Sequence, residues 1–108
     1  MKRIDKFRGN YGFLSNFYSV KIKYEGIRYP SSENAYQAAK TNDTSIRKIF
    51  KNVSASESKY LGNKLKIVEN WDDIKKDVMY EILKIKFSNK EMKKLLLATE
   101  NLKLKEGN

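Results

Sequence analysis

The sequence has 108 residues, which is the size of one domain with one modest hydrophobic core. Apolar residues make up 40% of it and aromatic residues 12%, which predicts a folded chain despite 33% charged residues. No stretch has the uninterrupted apolar length that crosses a bilayer, and the first residues lack the apolar run of a signal peptide. We therefore expect one cytoplasmic domain over residues 1–108, without a membrane partner.

The sequence contains neither cysteine nor histidine. This excludes disulfides, zinc fingers, thiol nucleophiles and histidine-based triads within it. An enzyme of this composition takes its proton donors and nucleophiles from carboxylates, lysine or tyrosine. Glycine-rich nucleotide-binding motifs and aspartate-rich metal motifs are also absent from the sequence, so we expect no cofactor and no metal.

The net charge is +10, and it is uneven along the chain. Residues 1–54 carry eleven basic and four acidic residues, whereas residues 55–108 carry twelve and nine. A positive field of this kind attracts phosphate groups of nucleotides or nucleic acids. A compositional bias toward lysine, asparagine and isoleucine explains the charge equally well, so both interpretations stay open.

The N-terminal third of the chain predicts irregular structure followed by a β-hairpin. Over residues 1–18 a loop or short strand fits better than a helix, because Gly9 and Gly12 interrupt any helical period. Residues 20–29 alternate apolar and charged side chains on either side of a Glu25-Gly26 turn, which is typical of a hairpin.

Helical periodicity and capping residues predict helices for the rest of the chain. The first helix covers about 33–41 with a Ser31 or Ser32 cap, the second covers 46–53, and the third runs from the Ser54 and Glu57 capping box to Gly62. A longer helix begins at Asn70 and buries the stripe Trp71, Ile74, Val78, Ile82 and Ile85. The last helix is capped by Ser88 and Glu91. The predicted fold class is mainly α (α+β), a compact helical domain with a small antiparallel β-hairpin near the N-terminus.

The helix after Pro30 divides into two faces by residue type. One face is small and consists of Ala35, Ala38 and Ala39, and the other carries functional groups, namely Glu33, Tyr36, Gln37 and Lys40. Glu33 and Lys40 lie two turns apart, about 10 Å along the axis, and could hold opposite sides of a small ligand. The alternative is an ordinary solvated face above an alanine stripe.

Two aromatic features allow a structural and a functional interpretation. In the segment 11–18, the rings either start a core strand or stack on a planar base, with Gly12 allowing close backbone approach and Phe17 among the candidate stacking rings. In the structural interpretation Asn16 only satisfies a turn. Trp71 is likewise either a core anchor at a helix start or a stacking platform.

The order of these features resembles the NADAR, or YbiA-like, family. The resemblance is carried by YGFLSNFY at 11–18, YEGIRYPSSENAYQAAK at 24–40, KYLG at 59–62, NW at 70–71, LLAT at 96–99 and LKEGN at 104–108. It spans nearly the whole chain and implies a YbiA-like fold.

The resemblance implies an N-glycosidase that acts on a phosphorylated riboside or an ADP-ribosyl adduct. Family substrates include ribosylamino-pyrimidine intermediates of riboflavin synthesis and ADP-ribosylated guanine in DNA, and other members are linked to NAD and ADP-ribose metabolism. Glu33 matches the catalytic glutamate, and Lys40 matches the lysine that closes the same helix. Trp71 matches a ligand-site tryptophan, and Asn16 and Tyr36 match pocket-lining positions.

The chain departs from the family pattern in two places. Asn34 stands where the family usually has histidine, and an amide cannot shuttle a proton near neutral pH. Relatives also continue past the Glu-Gly-Asn element into a Trp-Gly-Asp segment, so the resemblance implies a C-terminally short domain. The alternatives to an enzyme are a catalytically silent binder of ADP-ribose-like or NAD-like nucleotides and a general nucleic-acid-binding protein.

Overall fold

The computed structural model describes residues 9–105, with side chains described over 12–98. As the sequence predicts, this part of the chain is mainly helical with one two-stranded antiparallel sheet. The elements are β1 (Ile22–Tyr24), β2 (Ile27–Tyr29), α1 (Ser32–Ala38), α2 (Thr44–Ile49), α3 (Ala55–Gly62), α4 (Trp71–Lys86), α5 (Lys90–Lys105), and 3₁₀ helices at Gly9–Leu14 and Phe50–Asn52. None of the helices in this part is long and apolar enough to cross a membrane.

The β-hairpin forms as predicted. Ile22 pairs with Tyr29, and both are buried, while Lys23 pairs with Arg28 on the exposed face. The backbone turns at Glu25 and Gly26, which have φ values of 47° and 86°. Positive φ at both central residues gives the turn a twist that matches the two strands, and glycine adopts it without steric cost.

The segment before the hairpin differs from the expectation of a loop or short strand. Gly9–Leu14 is a 3₁₀ helix, and the next turns continue with a hydrogen bond from the Ser15 N–H to the Gly12 carbonyl at 3.0 Å. The two glycines interrupt a 3.6-residue period, but a short 3₁₀ run needs only bonds three residues apart. Phe13 enters the core and meets Phe87, the residue after α4, edge to face, with ring centroids 6.5 Å apart.

Two of the predicted helix caps form and two differ. Ser31 accepts from the Asn34 N–H, and Ser54 accepts from the Glu57 N–H, as expected. Asn70 precedes α4 but makes no side-chain capping bond. At α5 the predicted Ser88 cap is wrong, because Asn89 accepts the N–H groups of Glu91 and Met92 while the Ser88 hydroxyl donates to the Lys84 carbonyl.

Helix α1 lies at the centre of the fold. It packs against both strands, against α2, α3 and α4, and against the second 3₁₀ helix. Ala35, Ala38 and Ala39 are buried, and their small side chains allow this close approach on several sides. Ile22, Phe50 and Ile82 complete the core around it. Most elements of the described chain therefore pack against α1 and fix its position.

Candidate active site

Glu33 is a buried carboxylate in the first turn of α1. Its residue is 7% exposed, and its N–H donates to the Asn16 carbonyl at 2.9 Å. Its Oε2 accepts a hydrogen bond of 2.6 Å from Nε2 of Gln37, which is also buried. The interpretation of this helix face as an ordinary solvated surface is therefore wrong, because Glu33 and Gln37 are both buried.

Lys40 lies just after α1 and is half-buried. Its N–H donates to the Gln37 carbonyl at 3.2 Å, and its carbonyl accepts from the Val68 N–H at 2.9 Å. Burial lowers the pKa of the Lys40 ammonium, and the nearby Glu33 carboxylate opposes that effect. The two predicted catalytic groups are thus near enough for their charges to interact.

Tyr36, which lies between Glu33 and Lys40 in the sequence, forms an aromatic pair with Trp71. The rings of Tyr36 and Trp71 have centroids 5.2 Å apart and an angle of 56°. Trp71 is buried at the start of α4, so it is a core anchor as well as a neighbour of the site. Burial raises the pKa of Tyr36, while the charge of Lys75 lowers it, which places a second cation near the pair.

The predicted pocket residues of the N-terminal segment, Gly12, Asn16 and Phe17, lie in different places. Asn16 contacts α1 directly, because its carbonyl accepts from Glu33 and its Oδ1 accepts from the Ser32 hydroxyl at 3.0 Å. Gly12 lies in the first 3₁₀ helix and is half-buried. Phe17 is 42% exposed and lines a cavity of about 360 Å³ with residues of α3 and with Asn63.

Asn34, which follows Glu33, is a structural residue. It is fully buried, and its Nδ2 donates to the carbonyls of Phe50 at 2.8 Å and Val53 at 2.9 Å. Its Oδ1 accepts from the Ser31 hydroxyl. The Nδ2 group therefore ties α1 to the second 3₁₀ helix and the residue after it, while Oδ1 holds the N-cap of α1.

Residue spacing does not indicate that two polar side chains of this region are buried. Gln37 belongs to the predicted functional face, but the sequence does not predict its bond to Glu33. Lys86 at the end of α4 is fully buried, and its Nζ donates to the Ser15 carbonyl at 2.9 Å. A lysine in the last turn of a helix is usually solvated, so its place in the sequence does not mark Lys86 as buried. Ser15 adjoins Asn16, so Lys86 supports the segment that contacts the start of α1.

The arrangement offers acid, base and nucleophile chemistry from Glu33 and Lys40, next to aromatic surface. Within residues 12–98 no cluster of three or more acidic side chains could hold a metal ion. A carboxylate held away from water and an amine of lowered pKa are groups whose environments suit catalysis.

Comparison with known proteins assigns the chain to a family. The model of the NADAR domain matches residues 5–108. The chain belongs to the NADAR family. It is 37% identical over 101 residues to the N-glycosidase YbiA of Shigella boydii, an alignment that covers 90% of this chain and 63% of that protein. It is also 37% identical to a riboflavin biosynthesis protein of Vibrio vulnificus, of which the alignment covers 28%.

A solved structure agrees with this assignment. The NMR structure of Escherichia coli YbiA superimposes with a TM-score of 0.72 at 32% identity, covering 92% of this chain and 60% of that one. The NADAR match confirms the resemblance, and the YbiA superposition confirms the mainly helical fold. The chain spans less than two thirds of the length of these relatives.

Proposed function

We propose that this chain hydrolyses the N-glycosidic bond of a phosphorylated riboside or an ADP-ribosyl adduct. The observation that carries the proposal is the buried Glu33 carboxylate, which lies near the Lys40 ammonium in a chain of the NADAR family. Relatives named N-glycosidase YbiA and riboflavin biosynthesis protein support this reaction class.

The proposed chemistry needs a fixed negative charge at the sugar. When the bond between C1′ and the base nitrogen breaks, its electron pair leaves with the base and the sugar becomes an oxocarbenium-like cation. The departing nitrogen takes up a proton, and water adds its hydroxyl group to C1′ and releases a proton in its place. The Glu33 carboxylate stabilises the cation, and its burial strengthens this effect because few water dipoles compete.

Lys40 has two alternative roles in this scheme. As a nucleophile, its neutral amine attacks C1′, the base leaves with the electron pair, and the opened sugar is held as a Schiff base until water releases it. Its lowered pKa increases the fraction of neutral amine and supports this role. As a clamp, its ammonium binds a substrate phosphate instead.

The remaining predicted residues would bind substrate. Tyr36, which packs on the buried Trp71, offers aromatic surface to a base, and Asn16 offers polar groups at the start of α1. Gly12 and Phe17 belong to the same proposal because they stand before and after Asn16 in the N-terminal segment. The net charge of +10 favours phosphorylated substrates, among them a ribosylamino-pyrimidine phosphate and ADP-ribosylated guanine in DNA.

The test is product formation from defined substrates. Purified protein is incubated with a ribosylamino-pyrimidine phosphate, an ADP-ribosylated guanine oligonucleotide, and NAD, and the released base is quantified by mass spectrometry. We expect base release from one of them. Thermal stabilisation by ADP-ribose without any product would instead identify a silent binder. Tight, salt-dependent binding of unmodified DNA without product would identify a nucleic-acid-binding protein.

A further inference from the structure

Gln37 is the hydrogen-bonding partner of the Glu33 carboxylate. The two residues are four positions apart on α1, so their side chains lie on the same face. Gln37 is 4% exposed, and its Nε2 donates to Glu33 Oε2 at 2.6 Å. A short bond from an amide to a buried carboxylate is charge-assisted and sets the direction of the acceptor oxygen.

Gly62, the last residue of α3, holds the other side of the Gln37 amide. A Cβ built on Gly62 would lie 1.9 Å from Gln37 Oε1, 2.6 Å from its Cδ and 3.1 Å from its Cβ. The two severe contacts involve the terminal amide of Gln37, so an alanine at position 62 would force this amide out of its observed position. Only glycine leaves room for Gln37 at this point of the α1–α3 contact.

The two contacts fix which way the amide faces. Gln37 Oε1 is buried without a hydrogen-bond partner in the described chain, and it lies where the Gly62 Cα–H points. A flipped amide would place this oxygen against the Glu33 carboxylate, where two acceptors repel each other. The Nε2 donor therefore faces Glu33, and the carbonyl oxygen faces Gly62.

We propose that Gln37 is a positioning residue for Glu33 and that Gly62 sets the position of Gln37. This inference rests on the proposed function, in which the Glu33 carboxylate stabilises the cationic sugar. Such stabilisation depends on a carboxylate that is already aimed before the reaction begins. Packing of α3 on α1 thus controls the geometry of the catalytic group without contacting the substrate.

The first experiment removes the donor and keeps the volume. Gln37→Met is unbranched, similar in size and unable to donate. We expect kcat to fall about tenfold to a hundredfold, with KM changed by less than about threefold, because the lost contact acts through transition-state geometry. In a Glu33→Gln background the same substitution should change the residual rate by less than about twofold. A Gln37→Met enzyme with wild-type kcat would overturn the proposal.

The second experiment tests the role of the glycine. Gly62→Ala should lower kcat by a similar factor, because its Cβ displaces Gln37. In a Gln37→Ala background the two severe clashes disappear, so Gly62→Ala should cost less than about threefold. Ser58→Ala is the matched control, since Ser58 is buried one turn earlier on α3, and it should keep wild-type kcat. Equal losses from Gly62→Ala in both backgrounds would contradict the inference.

A readout without turnover separates this inference from the proposed function. The side-chain amide protons of Gln37 are observed by ¹H–¹⁵N NMR in wild type, Glu33→Gln and Gly62→Ala. We expect the bonded proton to move upfield in both variants, because each weakens a charge-assisted bond. If neither variant moves it, the positioning contact is wrong whatever the activity. If both move it and wild type releases no base, the contact stands and the proposed function fails.

Discussion

The burial of Lys86 predicts how the free energy of unfolding changes with pH. The residue is fully buried, and its ammonium donates to the Ser15 carbonyl and lies 5.8 Å and 5.3 Å from the ring centroids of Tyr18 and Phe87. Burial lowers the pKa of Lys86 from 10.5 to about 8. The perturbation we consider is Lys86→Met, which keeps the length and removes the charge.

The sign and size follow from proton linkage. Because the folded pKa of Lys86 is lower than its unfolded value, the unfolded chain binds more protons between the two values. The free energy of unfolding therefore rises with pH across that window, by about 2 kcal/mol between roughly pH 7 and roughly pH 9.5. Above about pH 10 the gain is offset, since burial raises the pKa of Tyr29 to about 12 and the unfolded chain loses that proton first.

The assay is urea unfolding of the wild type, Lys86→Met and Lys84→Met over this pH range. Lys84 is exposed on the same helix, so its variant should keep the rise in stability. Lys86→Met should lose it. A wild-type stability that does not change with pH, or a rise that survives in Lys86→Met, would refute the reasoning.

Two further predictions concern α1. With substrate and borohydride, the native protein should form a sugar adduct on the peptide that contains Lys40, and the Lys40→Arg variant should form none. This substitution should change the free energy of unfolding by less than about 0.5 kcal/mol. Full turnover of Lys40→Arg with no adduct on the native protein would show that the covalent route is wrong. Asn34→Ala leaves two carbonyls of the second 3₁₀ helix region unpaired, so urea unfolding should show a loss of about 2 to 4 kcal/mol, and a loss below about 1 kcal/mol would contradict its structural role.

Local chemistry explains why the hairpin and most helix starts could be predicted. The alternation of Ile22 and Tyr24 with lysines and the Glu25-Gly26 turn are sufficient to define the register. Ser31 and Ser54 stand directly before apolar periodic segments, so their caps could be recognised. At α5, however, Ser88 and Asn89 are adjacent residues that both cap well, and the choice depends on the Ser88 bond back to α4.

Long-range packing explains what could not be predicted at the site. Lys86 in the last turn of an amphipathic helix is typical of a solvated cation, yet its partner Ser15 is 71 residues away in sequence. The fixed orientation of Gln37 likewise depends on Gly62, a residue of another helix. Spacing along α1 was enough to group Glu33 with Lys40, but it could not indicate that Glu33 is buried.

The most direct test of the central claim is the single-turnover rate of base release by Glu33→Gln relative to wild type. Glutamine keeps the shape of the side chain and can still accept from Gln37, so the fold and the melting temperature should be preserved. The loss of the negative charge removes the stabilisation of the cationic sugar, and we expect the rate to fall about 10²-fold to 10³-fold. A fall of only a few-fold in a folded variant would contradict the role of Glu33.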